Sequence, residues 1–567
     1  MKLRTTRTAA SMAEPVAILG LVGVVDVCWD WGKKLVETCK AFRHADTQVD
    51  EAICRLEVHW LRVEYQLQML RKMEPLLDGS HRSIQQRCLE IVLAKIKIAV
   101  SKLEGLIEKP NPAQGPLAKP EVKKLKYAIC KDSLAEAISE LERWQQIFDP
   151  SWFLMLRIAD PQVDSLLKAT TKLQAGSVQE GFSRSSLPAA QSMRRAIRAS
   201  PSNTDIGNPK IFFTMEGVMA GSICPVPFST ASTARRADNQ EIVLLDPVTS
   251  ASRTSAAAMR SGIRNFARSL RHADPFTFGL LECKGIVEDA ESNKTAAPGT
   301  GQSPTLLAGL AFLFRLPATH SHIESLRGRL LGGADRAHDS LSDCFLLARQ
   351  MAAAVSYVHL YGFVHKNIRP ETILLCHSSP PEKRISDEGV IEGVANEIAV
   401  LVGFDVLREA EGKTSRQGDD DWEKNLYRHP QRQGILPHAD YEMRHDIYSL
   451  GVCLLEIGLW KSFVDYRAGS DLPLLVSGLD ILDTDINGPE LLKSPEGLKD
   501  RLLRLARGPL RRRMGTVYGK VVETCLTCLD KDNVDFGDEK EFQDEDGVAV
   551  GVRYIEKVVV RLGEVTV

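Results

Sequence analysis

The sequence predicts a multidomain protein, an N-terminal all-α helical bundle followed by an α+β region. Two patterns carry that prediction. Apolar stripes at helical spacing occupy the early part of the chain, and short apolar runs of strand length alternate with helices in the later part. With 567 residues, 44% hydrophobic and 26% charged, the chain can bury sizeable cores, and wholesale disorder is ruled out. At roughly 150 residues per domain, the length suits about three to four domains, or fewer if one is large. Lysine and arginine (72) nearly balance aspartate and glutamate (74), for a net charge of −2. That balance argues against a nucleic-acid partner. Cysteines are scattered through the chain, and the lone CxxC, Cys525 and Cys528, has neither a second pair nor nearby histidines. Two half-buried thiols one helical turn apart in a reduced, cytoplasmic chain are expected, with no metal and no disulfide framework.

At the N-terminus, residues 1–12 form a basic extension carrying Lys2, Arg4 and Arg7. It precedes the apolar stretch Val16 to Val25, which Asp26 interrupts. The stretch is too short to span a bilayer, and no small-x-small cleavage site follows it. The acid-free first twelve residues fit either a presequence or a simple extension ahead of Met12-Ala13-Glu14-Pro15.

The helical elements follow in order. Val49, Ile53, Leu56, Trp60, Val63, Leu67 and Leu70 alternate steps of four and three, which lays one stripe along a long helix. Gly79 and Ser80 punctuate it, and a second stripe runs Leu89, Val92, Ile96, Ala99, Leu103, Leu106. Pro110, Asn111, Pro112 and Gly115 break the chain. A third helix carries Leu134, Ile138, Leu141 and Trp144, with a stop expected near Asp149-Pro150. Each stripe must be buried, so an antiparallel bundle over 13–175 is the economical arrangement. Residues 176–210 shift to Ser, Ala, Arg and Asn and read as a linker, with Arg194, Arg195 and Arg198 as a solvated basic spot.

The start Met12-Ala13-Glu14-Pro15-Val16, the amphipathic first helix, and the tract Trp144-Gln145-Gln146-Ile147-Phe148-Asp149-Pro150-Ser151-Trp152-Phe153-Leu154 resemble the fungal HeLo domain. That resemblance implies a helical bundle of the heterokaryon-incompatibility and regulated-cell-death type, related to prion-inhibition and propagation proteins. In such bundles an apolar N-terminal segment, buried at rest, is released to membranes on activation.

Residues 211–567 resemble a bilobal protein kinase. His365-Lys366-Asn367-Ile368-Arg369-Pro370-Glu371-Thr372-Ile373-Leu374-Leu375 matches the catalytic loop H-R-D-L-K-P-E-N and the strand after it. Ala399-Val400-Leu401-Val402-Gly403-Phe404-Asp405 takes the place of the strand and turn that carry D-F-G. Tyr427-Arg428-His429-Pro430-Gln431 is similar to the end of an activation segment, with Gln431 in place of its glutamate. Asp446-Ile447-Tyr448-Ser449-Leu450-Gly451 is similar to the start of the buried central helix.

Phosphoryl transfer needs a carboxylate near the substrate hydroxyl, metal ligands, and cations on the nucleotide phosphates. On these positions the resemblance implies a degenerate site. Asn367 stands for the base, Thr372 for the catalytic-loop metal ligand and Gly403 for the D-F-G aspartate, with Asp405 a displaced candidate ligand; Arg369 is a tolerable cation. No lysine occurs between Lys210 and Lys284, and no glutamate between Glu241 and Glu282, so the small-lobe ion pair has no members. The third strand ends in Asp246, and Gly217 and Gly221 do not make GxGxxG. His365 and Asp446 remain as residues that hold the loop, and Asp419, Asp420 and Asp421 read as solvated.

The expected product is a pseudokinase that needs no cofactor, ATP and Mg2+ being required only if a divergent active kinase survives. The order bundle, linker, kinase-like domain resembles a fungal group of HeLo-domain protein kinases. It implies a signalling or cell-death effector with protein partners, self-oligomerisation through the bundle, and membrane lipids engaged after activation. A non-enzymatic scaffold is the further alternative.

Overall fold

A computed structural model describes residues 20–43, 47–105, 124–158, 160–174, 190–191, 193–194, 211–248, 256–288, 310–317, 320–332, 340–378, 385–386, 389–390, 397–404, 408–409, 418–466, 473–475, 494–537 and 548–565. They fall into two compact units, the first ending at Phe148 and the second beginning at Asp149.

The first unit is helical: α1 (Leu21–Lys40), α2 (Thr47–Met73), α3 (Gly79–Glu104) and most of α4 (Lys124–Leu154). Helix α1 buries Leu21, Val24, Val25, Cys28, Leu35 and Cys39 along one stripe. At Gly32 the ring of Trp60 on α2 lies so close that a Cβ would meet it at 1.7 Å, so only glycine lets the two helices approach. The predicted α2 stripe is buried as a set, with Ile53, Leu56, Leu67 and Leu70 fully buried. Gly79 and Ser80 lie inside α3 as its first residues, because Asp78 caps the helix by accepting from the His81 amide at 2.8 Å.

Helix α4 corrects a predicted stop: it runs through Asp149-Pro150 to Leu154. Proline removes one backbone donor, and the burial of Trp152 and Phe153 outweighs that loss. Phe153 stacks edge-on with Phe278 (5.1 Å) and Tyr357 (5.6 Å), all within the second unit. The arginine expected in a solvated spot, Arg194, is 2% exposed. Its guanidinium donates to the Leu156, Ile158 and Asp160 carbonyls and pairs with Asp164, tying α5 (Pro161–Gln174) to the chain before it. Arg195 and Arg198 lie outside the described residues, as does Asp405.

The second unit is bilobal. Its small lobe holds β1 (Phe212–Thr214), β2 (Cys224–Pro225), β3 (Ser232–Arg235), β4 (Ile242–Val248), β5 (Glu282–Glu288) and β6 (Leu310–Arg315), in the spatial order β1-β5-β6-β4-β3-β2. Helix α6 (Ala256–Ser269) belongs to the same lobe. Strand β7 (His320–Ser325) then crosses into the large lobe, where it pairs with β9 (Ile373–Ser378). There the helices α7 (Leu326–Leu331), α8 (Leu341–Leu360) and α9 (Met443–Leu459) surround a short β8 (Phe363–Val364) and the catalytic-loop tract. Residues 385–386 and 389–390 form a small hairpin, and the strand Glu397–Leu401 pairs with β9 and delivers Gly403 beside the loop. Further strands 408–409, Val464–Tyr466 and Pro473–Leu475, then helices from Pro495 onward, complete the lobe. Every residue of α9 except Arg444 is buried, so this helix is the hub of the core. Cys525 and Cys528 are fully buried, more so than the sequence suggested, and Cys528 donates to the Arg444 carbonyl.

A kinase-like cleft with its charges rearranged

The catalytic-loop tract His365–Thr372 hangs from α9. Asp446, 0% exposed, accepts from the backbone N–H groups of His365 (2.7 Å) and Lys366 (2.9 Å) and from the Tyr441 hydroxyl (2.6 Å), and meets His359 Nε2 at 3.0 Å. Burial alone would raise its carboxyl; the bonds and charge from His359, His365 and Tyr441 outweigh that and hold it below the usual range. These contacts also secure Lys366 in the left-handed region (φ 66°). His365 Nε2 donates to the Val402 carbonyl at 3.0 Å and its ring packs on Phe404. Burial pushes this imidazole down to about 4, so it is neutral at pH 7.

The positions that the resemblance assigns to catalysis bond to one another within the loop and the adjoining turn. Asn367 Nδ2 donates to the Gly403 carbonyl (3.2 Å) while its Oδ1 accepts from Arg369 Nε (2.9 Å). Arg369 is thereby engaged within the loop and is 9% exposed. The Thr372 hydroxyl lies among the Arg369 amide and the Asn367 and Arg369 carbonyls at 2.8–3.2 Å. Gly403 adopts φ +82°, and a Cβ there would sit 2.3 Å from the Thr372 methyl and 3.4 Å from Asn367 Nδ2. A side chain at 403 is thus opposed by both backbone and neighbour.

The small lobe supplies the decisive feature. Asp246, on β4 where a kinase-like fold carries its phosphate-holding lysine, is fully buried. Its Oδ2 accepts from the N–H groups of Gly403 (2.8 Å) and Phe404 (3.3 Å), so an acid of the small lobe caps the turn of the large lobe. Helix α6 contributes no acid and instead packs Phe266 on Phe404 (4.7 Å) and Phe363 (4.9 Å). Gly217 and Gly221 lie on exposed turns before β2, away from the β2–β3 hairpin tip, so the structure does not bring them to the cleft. Among the described residues, no group of three or more His, Cys, Asp or Glu side chains is arranged to hold a metal ion.

Two functional features escaped sequence reading. Asp246 registers in sequence only as an acid ending a strand. Arg327 on α7, which no sequence motif singles out, is fully buried and bridges Glu371 of the loop (3.0 Å) and Glu456 of α9 (3.0 Å), also donating to Tyr427 and Ser462. Burial alone would lower the guanidinium, but the two carboxylates and Tyr427 keep it charged; burial opposes ionisation at both acids, Arg327 holds Glu371 below its usual range, and Glu456 stays raised. Asp419 is also not simply solvated: it pairs with Arg428 at 2.9 Å, which brings its carboxyl down although partial burial pulls the other way.

These lobes and the matching tract define a helical bundle followed by a protein-kinase-like domain. No family model matches the chain. Among curated proteins, it is similar to the eukaryotic translation initiation factor 2-alpha kinase 1 of Rattus norvegicus, 28% identical over 117 residues, 19% of this chain and 16% of the relative. It is similar too to a probable serine/threonine-protein kinase of Dictyostelium discoideum, 26% identical over 184 residues, covering 31% of this chain and 27% of the relative. A probable cell division protein kinase of Encephalitozoon cuniculi is 28% identical over 175 residues, 28% of this chain and 47% of the relative. The chain thus spans less than half the length of each of these relatives.

Proposed function

We propose that the kinase-like domain is a pseudokinase that controls the helical bundle in a signalling or regulated-cell-death effector. The observation that carries this reading is Asp246: a carboxylate bonded to the Gly403–Phe404 turn stands where the triphosphate requires a cation. Like charge repels the nucleotide, and Arg369, the cation of the loop, is engaged with Asn367. Loss of acid–base help alone costs about 10²–10⁴-fold in rate. Without metal ligands at 372 and 403, charge neutralisation in the transition state is lost as well.

The resemblance of the N-terminal residues to HeLo bundles supports the effector half of the reading. Membrane engagement follows release of the first helix; among the described residues, no helix is long and apolar enough to cross a membrane. Incubation of the full chain with labelled ATP and Mg2+ tests the first half, with no transfer and no Mg2+-dependent thermal shift expected. Transfer to protein would establish the second reading, a divergent serine/threonine kinase, which the relatives' names favour. Deleting residues 13–30 tests the second half: unchanged membrane association and toxicity in cells would refute a membrane role for the bundle.

A further inference from the structure

The hairpin between β2 and β3 is the element that covers phosphates in a kinase-like fold, and here it carries Pro225-Val226-Pro227-Phe228 where a mobile, glycine-rich tip would be needed. The tip is closed on itself, with the Val226 amide donating to the Ala231 carbonyl (3.0 Å) and the Ser229 amide to the Val226 carbonyl (3.1 Å). It also reaches across to the large lobe at two points. The Ser325 hydroxyl, at the end of β7, donates to the Pro227 carbonyl at 2.6 Å. The Phe228 ring rests on Tyr466 with centroids 5.1 Å apart and lies against the first turn of α7, 3.5 Å from where a Cβ of Gly328 would be. Phe228 holds φ 54°, a left-handed conformation unfavourable for an aromatic residue, which the surrounding contacts must offset.

The floor under the tip is rigid for an independent reason. Arg327, two residues after Ser325, donates to the Val464 carbonyl and to Ser462, fixing α7 against the strand that carries Tyr466. The small-lobe sheet is therefore joined to the large lobe at the front of the cleft by Pro227 and Phe228, and at its back by Asp246.

We propose that the β2–β3 tip is a built-in lid, latched on Ser325 and Tyr466, that shuts the cleft mouth to planar purines whatever their charge. This deepens the proposed function and rests on its reading of the cleft; the lid excludes uncharged adenosine, on which Asp246 exerts no charge repulsion.

The test compares the full chain with F228A, Y466A and the double variant. Ser325 is left intact because it also caps α7. Hydrogen exchange of the amides of Val226 and Ser229 should accelerate at least tenfold in either single variant. The double variant should exchange no faster than F228A, because F228A already removes the ring that Tyr466 touches. Adenosine, titrated without metal, should bind the variants at least tenfold more tightly than the parent. Unchanged exchange overturns the latch, and equal adenosine affinity overturns the exclusion of purines. Should either variant melt globally, the other removes the same ring pair from the opposite lobe. The outcomes separate from those above: phosphate transfer from labelled ATP by the parent sinks the pseudokinase reading, whereas variants that gain no adenosine binding sink the lid alone.

Discussion

The two units place their charges differently. In the helical unit the pairs Lys34–Glu104, with side chains 45% and 48% exposed, and Lys102–Glu136, with 49% and 57%, lie on the surface. In the kinase-like unit Arg327, Glu456 and Asp446 are 0% exposed and sit at the joints between loop, central helix and activation-segment end. Water has already solvated the first set, so those pairs add little. The second set has been taken out of water, where every lone pair and proton must find a partner. The kinase-like unit thus combines buried charges that define its shape with neutral side chains at Asn367 and Thr372 and a buried acid at Asp246.

Acid should break the comparison most strongly. Burial lowers His365 to about 4, His445 to about 3 and His429 to about 2. Folded-state values lie below the unfolded value of about 6.5, so the unfolded chain binds more protons, and stability is complete above pH 6.5 and falls below it. From pH 6.5 to pH 5 each histidine removes about 1.6 kcal/mol, on the order of 5 kcal/mol together. Denaturant melts followed domain by domain should show the kinase-like unit collapsing over this window. A flat profile between pH 7 and 5 would mean these imidazoles are not buried neutral. H429N and H445N together should flatten about two thirds of the slope.

Next in size is Arg327→Met. It strands Glu371 and Glu456 in the interior and should cost about 3–5 kcal/mol in equilibrium unfolding. Adding E371Q and E456Q should recover much of that loss, because the penalty lies in the uncompensated acids. Failure of the triple variant to recover would place the arginine's role in packing instead.

Much of this architecture was legible in the sequence, and the reason differs by region. Helix α2 could be read because its buried positions recur every three or four residues, and the loop at 365–372 because its residues are contiguous. The partnership of Asp246 with Gly403, 157 residues apart, leaves no periodic trace. Arg327 and Arg194 look like any surface arginine until the tertiary fold closes acids or carbonyls around them. Pro150 misled for a related reason: local backbone preference said stop, and the burial of Trp152 and Phe153 prevailed.

A smaller loss is expected from Gly403→Asp, the apparent repair of the missing metal ligand. The positive φ and the 2.3 Å approach to the Thr372 methyl should make it cost about 1–3 kcal/mol and yield no Mg2+ binding. T372S in the same chain should return the part due to the methyl contact and leave the part due to backbone conformation. A G403D protein as stable as the parent, with a metal-dependent thermal shift, would show that the turn can be rebuilt.

The smallest effect belongs to the other side of the comparison. Glu136→Gln removes the 2.7 Å pair between Lys102 on α3 and Glu136 on α4. Both side chains are about half exposed, so solvent and salt screen the attraction, and holding two long side chains in one geometry costs entropy. The change in unfolding free energy should stay below about 1 kcal/mol and shrink further as salt is raised. A loss comparable to that of Arg327→Met would mean that the helical unit, too, depends on desolvated charge. The contrast between a unit held by apolar stripes and one held by buried ions would then fail.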